Sequence, residues 1–183
     1  MLEDMPVTDL QKLFKFFQII GILKKIERTG WIEVGVYQPE SVADHTFRTA
    51  FLCMLYADME ALDPLKLVRM ALIHDLPEAV IGDLTPHQRT EETKEKEETA
   101  IYQILSLLPK KQRETYLDAW KEYKEGKTIE AKAVWQLDKI EMAIQAKEYQ
   151  KLGQSKKSLE SVINSAEEVT NWSNLKRFLS YVL

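Results

Sequence analysis

A histidine and an aspartate stand side by side in Ala71-Leu72-Ile73-His74-Asp75-Leu76-Pro77-Glu78, at the end of an apolar run. Burying both without partners would cost several kcal/mol, roughly, so each needs something to bind. Neighbouring helical residues point about 100° apart, so both can meet one object only if it lies over the edge between them, near the helix end. A divalent metal ion meets that condition, because neutral imidazole and carboxylate are both good ligands for borderline metals. Further ligands must come from elsewhere in the chain. His45, preceded by Asp44, is one candidate. Asp138 is the other: it follows Val134 by four and Trp135 by three and precedes Met142 by four, so it puts a carboxylate on an apolar stripe. By spacing alone, these residues fit a metal site and a set of buried, hydrogen-bonded polar groups equally well.

The elements that must position them read as helices. Apolar residues recur at threes and fours, as in Leu10, Leu13, Phe14 and Phe17, and period-two alternation is almost absent. The only extended-looking piece is Trp31–Tyr37, too short to build a sheet, so the expected class is all-α. A first helix is expected over about Thr8–Arg28, followed by a loop over Thr29–Glu40. Ser41 with Asp44 three residues on marks a helix start running to about Glu60. Asp63-Pro64 opens the next, ending near Asp75, and Pro77 suits a short helix before Gly82. A loop through Pro86 precedes helices over about Thr90–Leu108, from Pro109 to Gly126, and over Thr128–Leu152, with shorter ones from Ser158 onward. No repeat or linker divides the chain, so residues 1–183 read as a single domain with its core in about 10–152 and C-terminal helices over about 158–182.

The chain of 183 residues has 25 basic and 29 acidic side chains, a net charge of −4, and is 45% apolar. That suits one domain with a sizeable core. A single cysteine, Cys53, excludes an internal disulfide and Cys₄ or Cys₂His₂ zinc sites; set among Phe51, Leu52, Met54 and Leu55, it reads as an inert core thiol. Mild acidity argues against a duplex nucleic-acid binder. Lys110, Lys111 and Arg113 lack interleaved aromatics and read as surface charge, and EETKEKEETA reads as a solvated helix face. No apolar run approaches the ~20 residues of a membrane span, and MLEDMPVTDL lacks a signal-peptide layout. The expectation is a cytoplasmic protein that engages neither membrane nor nucleic acid.

The order His45, His74-Asp75, Asp138 resembles the HD-domain superfamily of metal-dependent phosphohydrolases. The surrounding residues narrow the resemblance: Leu23-Lys24-Lys25-Ile26-Glu27-Arg28-Thr29-Gly30-Trp31, Pro39-Glu40-Ser41-Val42-Ala43-Asp44-His45-Thr46, Gly82-Asp83 after the His-Asp segment, and Leu137-Asp138-Lys139-Ile140-Glu141-Met142. Together they are similar to the branch holding the bacterial 5′-deoxynucleotidases and the HD domain-containing protein 2 group. The resemblance implies an all-α, single HD-domain helical bundle that removes phosphate from deoxyribonucleoside 5′-monophosphates. It implies one divalent metal (Co, Mn, Ni, Fe or Zn) held by His45, His74, Asp75 and Asp138, with Glu78 and Asp75 catalytic. A metal site of this kind lowers the pKa of bound water, and Glu78 would do acid–base work. Arg28 matches a phosphate-binding arginine, apt because a guanidinium pairs bidentately with phosphate.

Trp31 is close to a tryptophan that shapes the nucleoside pocket, although Thr29 and Gly30 separate it from Arg28 where the bacterial enzymes have Arg-Trp directly. Asp83 resembles the acid that contacts the sugar, and Glu122 is a looser match at the pocket edge. His87 has no counterpart among the ligands and reads as a surface loop residue. Family and apolar helix faces together imply a homodimer. Two alternatives stand beside this reading: an HD phosphohydrolase or phosphodiesterase acting on another nucleotide, and a non-catalytic, metal-containing nucleotide-binding module. The scarcity of histidines after His74 favours a single-metal site and lowers the cyclic-dinucleotide reading.

Overall fold

The apolar three- and four-residue spacing, with side-chain caps at the start of several runs, builds helices throughout. The computed structural model describes residue 3 and residues 5–183. The helices are α1 (Val7–Ile22), α2 (Thr29–Glu33), α3 (Val42–Glu60), α4 (Pro64–Ile73), α5 (Glu78–Ile81), α6 (Glu91–Leu105), α7 (Lys110–Glu125), α8 (Ile129–Lys151), α9 (Lys156–Val169) and α10 (Ser173–Val182). Short 3₁₀ turns lie at Leu23–Lys25 and Pro86–Gln88. Among the described residues the extended pairing amounts to one isolated antiparallel bridge, Glu27 with Ser41. The fold is all-α.

Several helix starts follow the local signals. The Ser41 hydroxyl accepts from the Asp44 amide at 3.2 Å while Asp44 Oδ2 accepts from the Ser41 amide at 2.9 Å, a reciprocal capping box. His45 is the next residue, so a firmly started α3 fixes its direction. Asp63 caps α4 through the Lys66 amide at 3.1 Å, with Pro64 in the first turn, and Thr128 caps α8 through the Ala131 amide. Such caps contribute about 1 kcal/mol each.

Two expectations need correcting. The first helix stops at Ile22 rather than Arg28, because Ile26 accepts from the Val42 amide and the Arg28 amide donates to Glu40. The chain there pairs with the approach to α3 instead of closing further helical turns. Trp31–Tyr37 is not extended: its first residues belong to α2, whose leading amide, on Thr29, donates to the Asp83 carboxylate at 2.5 Å. That cap comes from 54 residues away, which local patterning does not reveal. A smaller difference is that α9 begins at Lys156.

α8 runs through the centre of the fold. Its Ala131, Ala133, Ala143 and Ala146 are fully buried, and their small side chains let α3, α4 and α9 approach closely. Leu67 and Met70 of α4 and Cys53 and Ala57 of α3 fill the space beside them. A second cluster joins α1, α6 and the end of α4 through Phe16, Ile73, Ile101 and Ile104. The C-terminal helices are tied in rather than appended. Gln136 of α8 accepts from the Asn171 and Trp172 amides at 2.8 and 3.0 Å, and Leu159, Ala166, Leu175 and Leu179 are buried. The EETKEKEETA face of α6 is solvated, carrying the Lys94–Glu91 and Lys96–Glu92 pairs. Lys110 and Lys111 are exposed at the start of α7, with Arg113 half-buried. Cys53 is buried, and burial pushes its thiol up, away from the reactive thiolate.

Candidate metal centre

Three elements converge on one point. α3 presents His45, the end of α4 presents His74 with Asp75 in the turn that follows, and α8 presents Asp138. His45 Nε2 lies 2.8 Å from Asp138 Oδ1 and 3.8 Å from Asp75 Oδ2. His74 Nε2 lies 3.0 Å from Asp75 Oδ2 and 3.8 Å from Asp138 Oδ1. Both Nε2 atoms are buried and make no aligned hydrogen bond, even at these separations. Donors bound at about 2.1 Å to one ion sit roughly 3.0–3.4 Å apart; two of these separations are near or just under that range and two are wider, so the four atoms surround one point without yet closing on it. One ligand atom each from His45, His74 and Asp138 fall within 4.8 Å of one another, and the chemistry of the set, imidazole with carboxylate, suits a divalent cation.

The other face of each ring is occupied. His74 Nδ1 is 2.6 Å from the Ala71 carbonyl, in the last turn of α4. His45 Nδ1 meets Glu141 Oε2, and Glu141 Oε1 accepts from Arg48 Nε at 2.8 Å. If Nδ1 donates outward, each ring would turn its Nε2 lone pair inward once a cation displaces the proton there, the arrangement in which ligating histidines are held. Glu141 is fully buried one turn after Asp138, so α8 supplies both a carboxylate facing the centre and one behind it. Glu141 and Arg48 are the main residues that sequence reasoning left without a role. The available signal was an acid three positions from Asp138 on a buried helix face.

The electrostatics favour a cation. Burial and Arg28 pull the His45 pKa down, yet Glu141 and Asp138 raise it to about 10. Burial works against ionising Asp75, but His74, Arg28 and His45 hold its carboxyl well below the usual range. Asp138 is likewise held low against burial by Lys139 and His45. Glu78 goes the other way. Its carboxyl is 5% exposed with Oε2 unpartnered, and burial together with Asp75 raises its pKa well above the ordinary value. Arg28 and, at 3.9 Å, Arg89 oppose that rise.

Beside this cluster opens a cavity of about 580 Å³ lined by Arg28, His74, Asp75, Asp138 and residues of α2, α7 and α9. Arg28 Nη1 donates to Asp75 Oδ2 at 3.2 Å and to Asp83 Oδ1 at 3.0 Å, while Nη2 meets only the Met142 sulfur, at 3.7 Å. Two carboxylates therefore hold one edge of the guanidinium and a weak acceptor leaves the other free for an anion.

A family description of the HD domain matches residues 20–176 of this geometry-bearing chain. The chain belongs to the HD-domain family. Human 5′-deoxynucleotidase HDDC2 is 37% identical to this HD protein over 172 residues, covering 93% of this chain and 84% of the relative. The Dictyostelium discoideum protein of the same name is 40% identical over 151 residues, 78% of this chain and 80% of its own. Among solved structures, a Pyrococcus horikoshii protein superposes with a TM-score of 0.77 at 31% identity, covering 92% of this chain and 97% of that one.

The remaining expected site residues of the HD domain fall in different places. Asp83 faces the cavity, and besides Arg28 it receives the Thr29 amide. Trp31 is only 1% exposed; its Nε1 donates to Glu40 at 2.9 Å and its ring meets Tyr149 edge-on. It shapes the cavity wall from behind and presents no free ring face. Glu122 is not among the cavity-lining residues: it pairs with Lys66 at 2.6 Å, while the next residue, Tyr123, turns into the cavity. His87 is 68% exposed at the cavity rim, 3.3 Å from Glu33, outside the ligand cluster.

Proposed function

We propose that this chain is a metal-dependent 5′-deoxynucleotidase that releases orthophosphate from deoxyribonucleoside 5′-monophosphates. The observation that carries the reading is the pair of buried Nε2 atoms turned toward Asp75 and Asp138 while both Nδ1 atoms are engaged elsewhere. The substrate class comes from relatives named 5′-deoxynucleotidase. His45, His74, Asp75 and Asp138 would hold one divalent ion of the Co, Mn, Ni, Fe or Zn class. Such an ion supplies Lewis acidity and makes water a competent nucleophile near neutral pH.

The protein's own groups do the rest. The free edge of Arg28 takes phosphate oxygens, held in register by Asp75 and Asp83. Asp75 thus serves both the metal and the arginine. Water adds to phosphorus as the P–O5′ bond breaks, and Glu78, whose carboxyl burial biases toward its protonated form, would pass a proton to the departing sugar oxygen and recover one from the attacking water. Asp83 uses two of its roughly four acceptor sites on Arg28 and Thr29, and the others are available to the sugar. Trp31 acts by packing behind this wall, and Glu122 has no part in it.

The reading includes a cytoplasmic homodimer; no helix of the described residues is long and apolar enough to cross a membrane. Phe14, Phe17, Phe47, Phe51 and Leu72 are more than half exposed on α1, α3 and α4, beside an apolar groove of about 470 Å³. Contiguous apolar surface of this kind marks an interface, and sedimentation analysis should give twice the chain mass.

The test of the activity is phosphate release from the four common deoxynucleoside monophosphates and their ribo-counterparts, with Mn²⁺, Co²⁺, Zn²⁺ and Mg²⁺ added in turn. Turnover of the deoxy series with at least one metal is expected. No turnover with any metal would contradict the enzyme reading, and equal hydrolysis of ribonucleotides would remove the deoxy preference.

A further inference from the structure

Trp135 sits one turn before Asp138 on α8, on the same face of the helix, and lines the same cavity as Arg28, His74 and Asp75. The residue is 38% exposed, although large aromatic residues are normally buried or engaged. The indole is nevertheless held by two contacts. Tyr123 meets it edge-on with centroids 6.2 Å apart, and Tyr123 in turn meets His74 edge-on at 5.3 Å. The benzene half of the indole also covers Gly126, the left-handed residue (φ 61°) that ends α7. A Cβ at position 126 would fall 2.0 Å from Trp135 Cη2, so only glycine leaves room for the ring where it lies.

A nucleotide anchored by its phosphate beside His74 and Arg28 must place its base farther along the cavity. Trp135 lies two aromatic contacts from His74, through Tyr123 at 5.3 and 6.2 Å, in the same cavity, so it is set back from the phosphate end by one intervening ring. Val162 and Val169 of α9 add apolar wall to the same cavity. Trp31 cannot serve as a stacking surface, since it is 1% exposed, with its ring against Tyr149 and its nitrogen donating to Glu40. We infer that Trp135 is the nucleobase-stacking residue of this site, with Gly126 the position that allows it. The inference rests on the deoxynucleotide reading above.

Base stacking on an indole is tolerant of sequence and grows with ring area, so purines should gain most. The experiment compares wild type with Trp135→Leu and Trp135→Phe, using the metal-loaded protein and 5′-dGMP as substrate. Deoxyguanosine and orthophosphate are the two competing inhibitors. Trp135→Leu should weaken deoxyguanosine inhibition about ten-fold and raise KM for 5′-dGMP more than for 5′-dCMP, with orthophosphate inhibition unchanged. Trp135→Phe should stay within about three-fold of wild type, because it keeps a π face. Gly126→Ala, which displaces the indole without removing it, should reproduce the deoxyguanosine defect. Unchanged deoxyguanosine inhibition in Trp135→Leu would overturn the inference, as would an equal loss for deoxyguanosine and orthophosphate. If wild type releases no phosphate from any nucleotide, it is the functional reading that fails, which is a separate result.

Discussion

The two ends of the cavity are constructed differently. At the inner end, four side chains from α3, α4 and α8 face one another at 2.8–3.8 Å, and each histidine is fixed from behind. At the outer end, α2, the segment from Asp83 to Arg89 and α9 form a wider wall with exposed His87 and half-exposed Trp135. The inner end is buried, so its charges must be matched by partners or by a cation, and little can move without leaving a group uncompensated. Solvent screens the outer end, whose residues can change at lower cost. On the proposed function, chemistry falls to the over-determined end and substrate choice to the tolerant one.

Substitutions probe that contrast at decreasing strength. Asp138→Ala removes a ligand from the buried centre and should abolish metal retention, lowering turnover at least about a thousand-fold; steady-state rates at fixed added metal measure it. Glu78→Gln keeps the volume of the side chain but cannot hand over a proton. It should retain metal while kcat falls roughly 10²- to 10⁴-fold, and parallel metal and rate determinations separate the two effects. Glu141→Gln leaves every ligand in place but weakens the group that orients His45. Metal affinity should drop about 10- to 100-fold in a chelator-competition titration, with turnover recovering at high metal. Glu122→Gln touches only the pair with Lys66 and should leave kcat and KM within about two-fold. A large kinetic loss there would mean that the outer wall extends past Tyr123.

The same contrast explains what the sequence could convey. The inner end rests on local grammar: the Ser41–Asp44 box fixes the start of α3, Asp63-Pro64 fixes α4, and His74-Asp75 marks where an apolar helix stops. Asp138 stood out because an acid on an apolar stripe requires a partner. The outer end depends on contacts between distant segments. α2 is helical partly because Asp83 caps it from 54 residues away, so Trp31–Tyr37 read as extended. Trp31 could not be known to lie behind the wall until Glu40 and Tyr149 met it. Glu122 and Tyr123 exchange inside and outside by one residue on α7, about 100° of rotation that a loose match does not resolve. α9 lines the cavity, and the chain just after it is held by Gln136 of α8 through the Asn171 and Trp172 amides, contacts between segments about 35 residues apart.

The central claim is that one divalent ion is held by two histidine Nε2 atoms with Asp75 and Asp138. The most direct test is elemental analysis of the purified chain beside Asp75→Ala, with circular dichroism to confirm that both are folded. One equivalent of a transition metal per wild-type chain and almost none in the folded variant is the expected result. Full metal retention by Asp75→Ala, or two equivalents in wild type, would contradict the assignment.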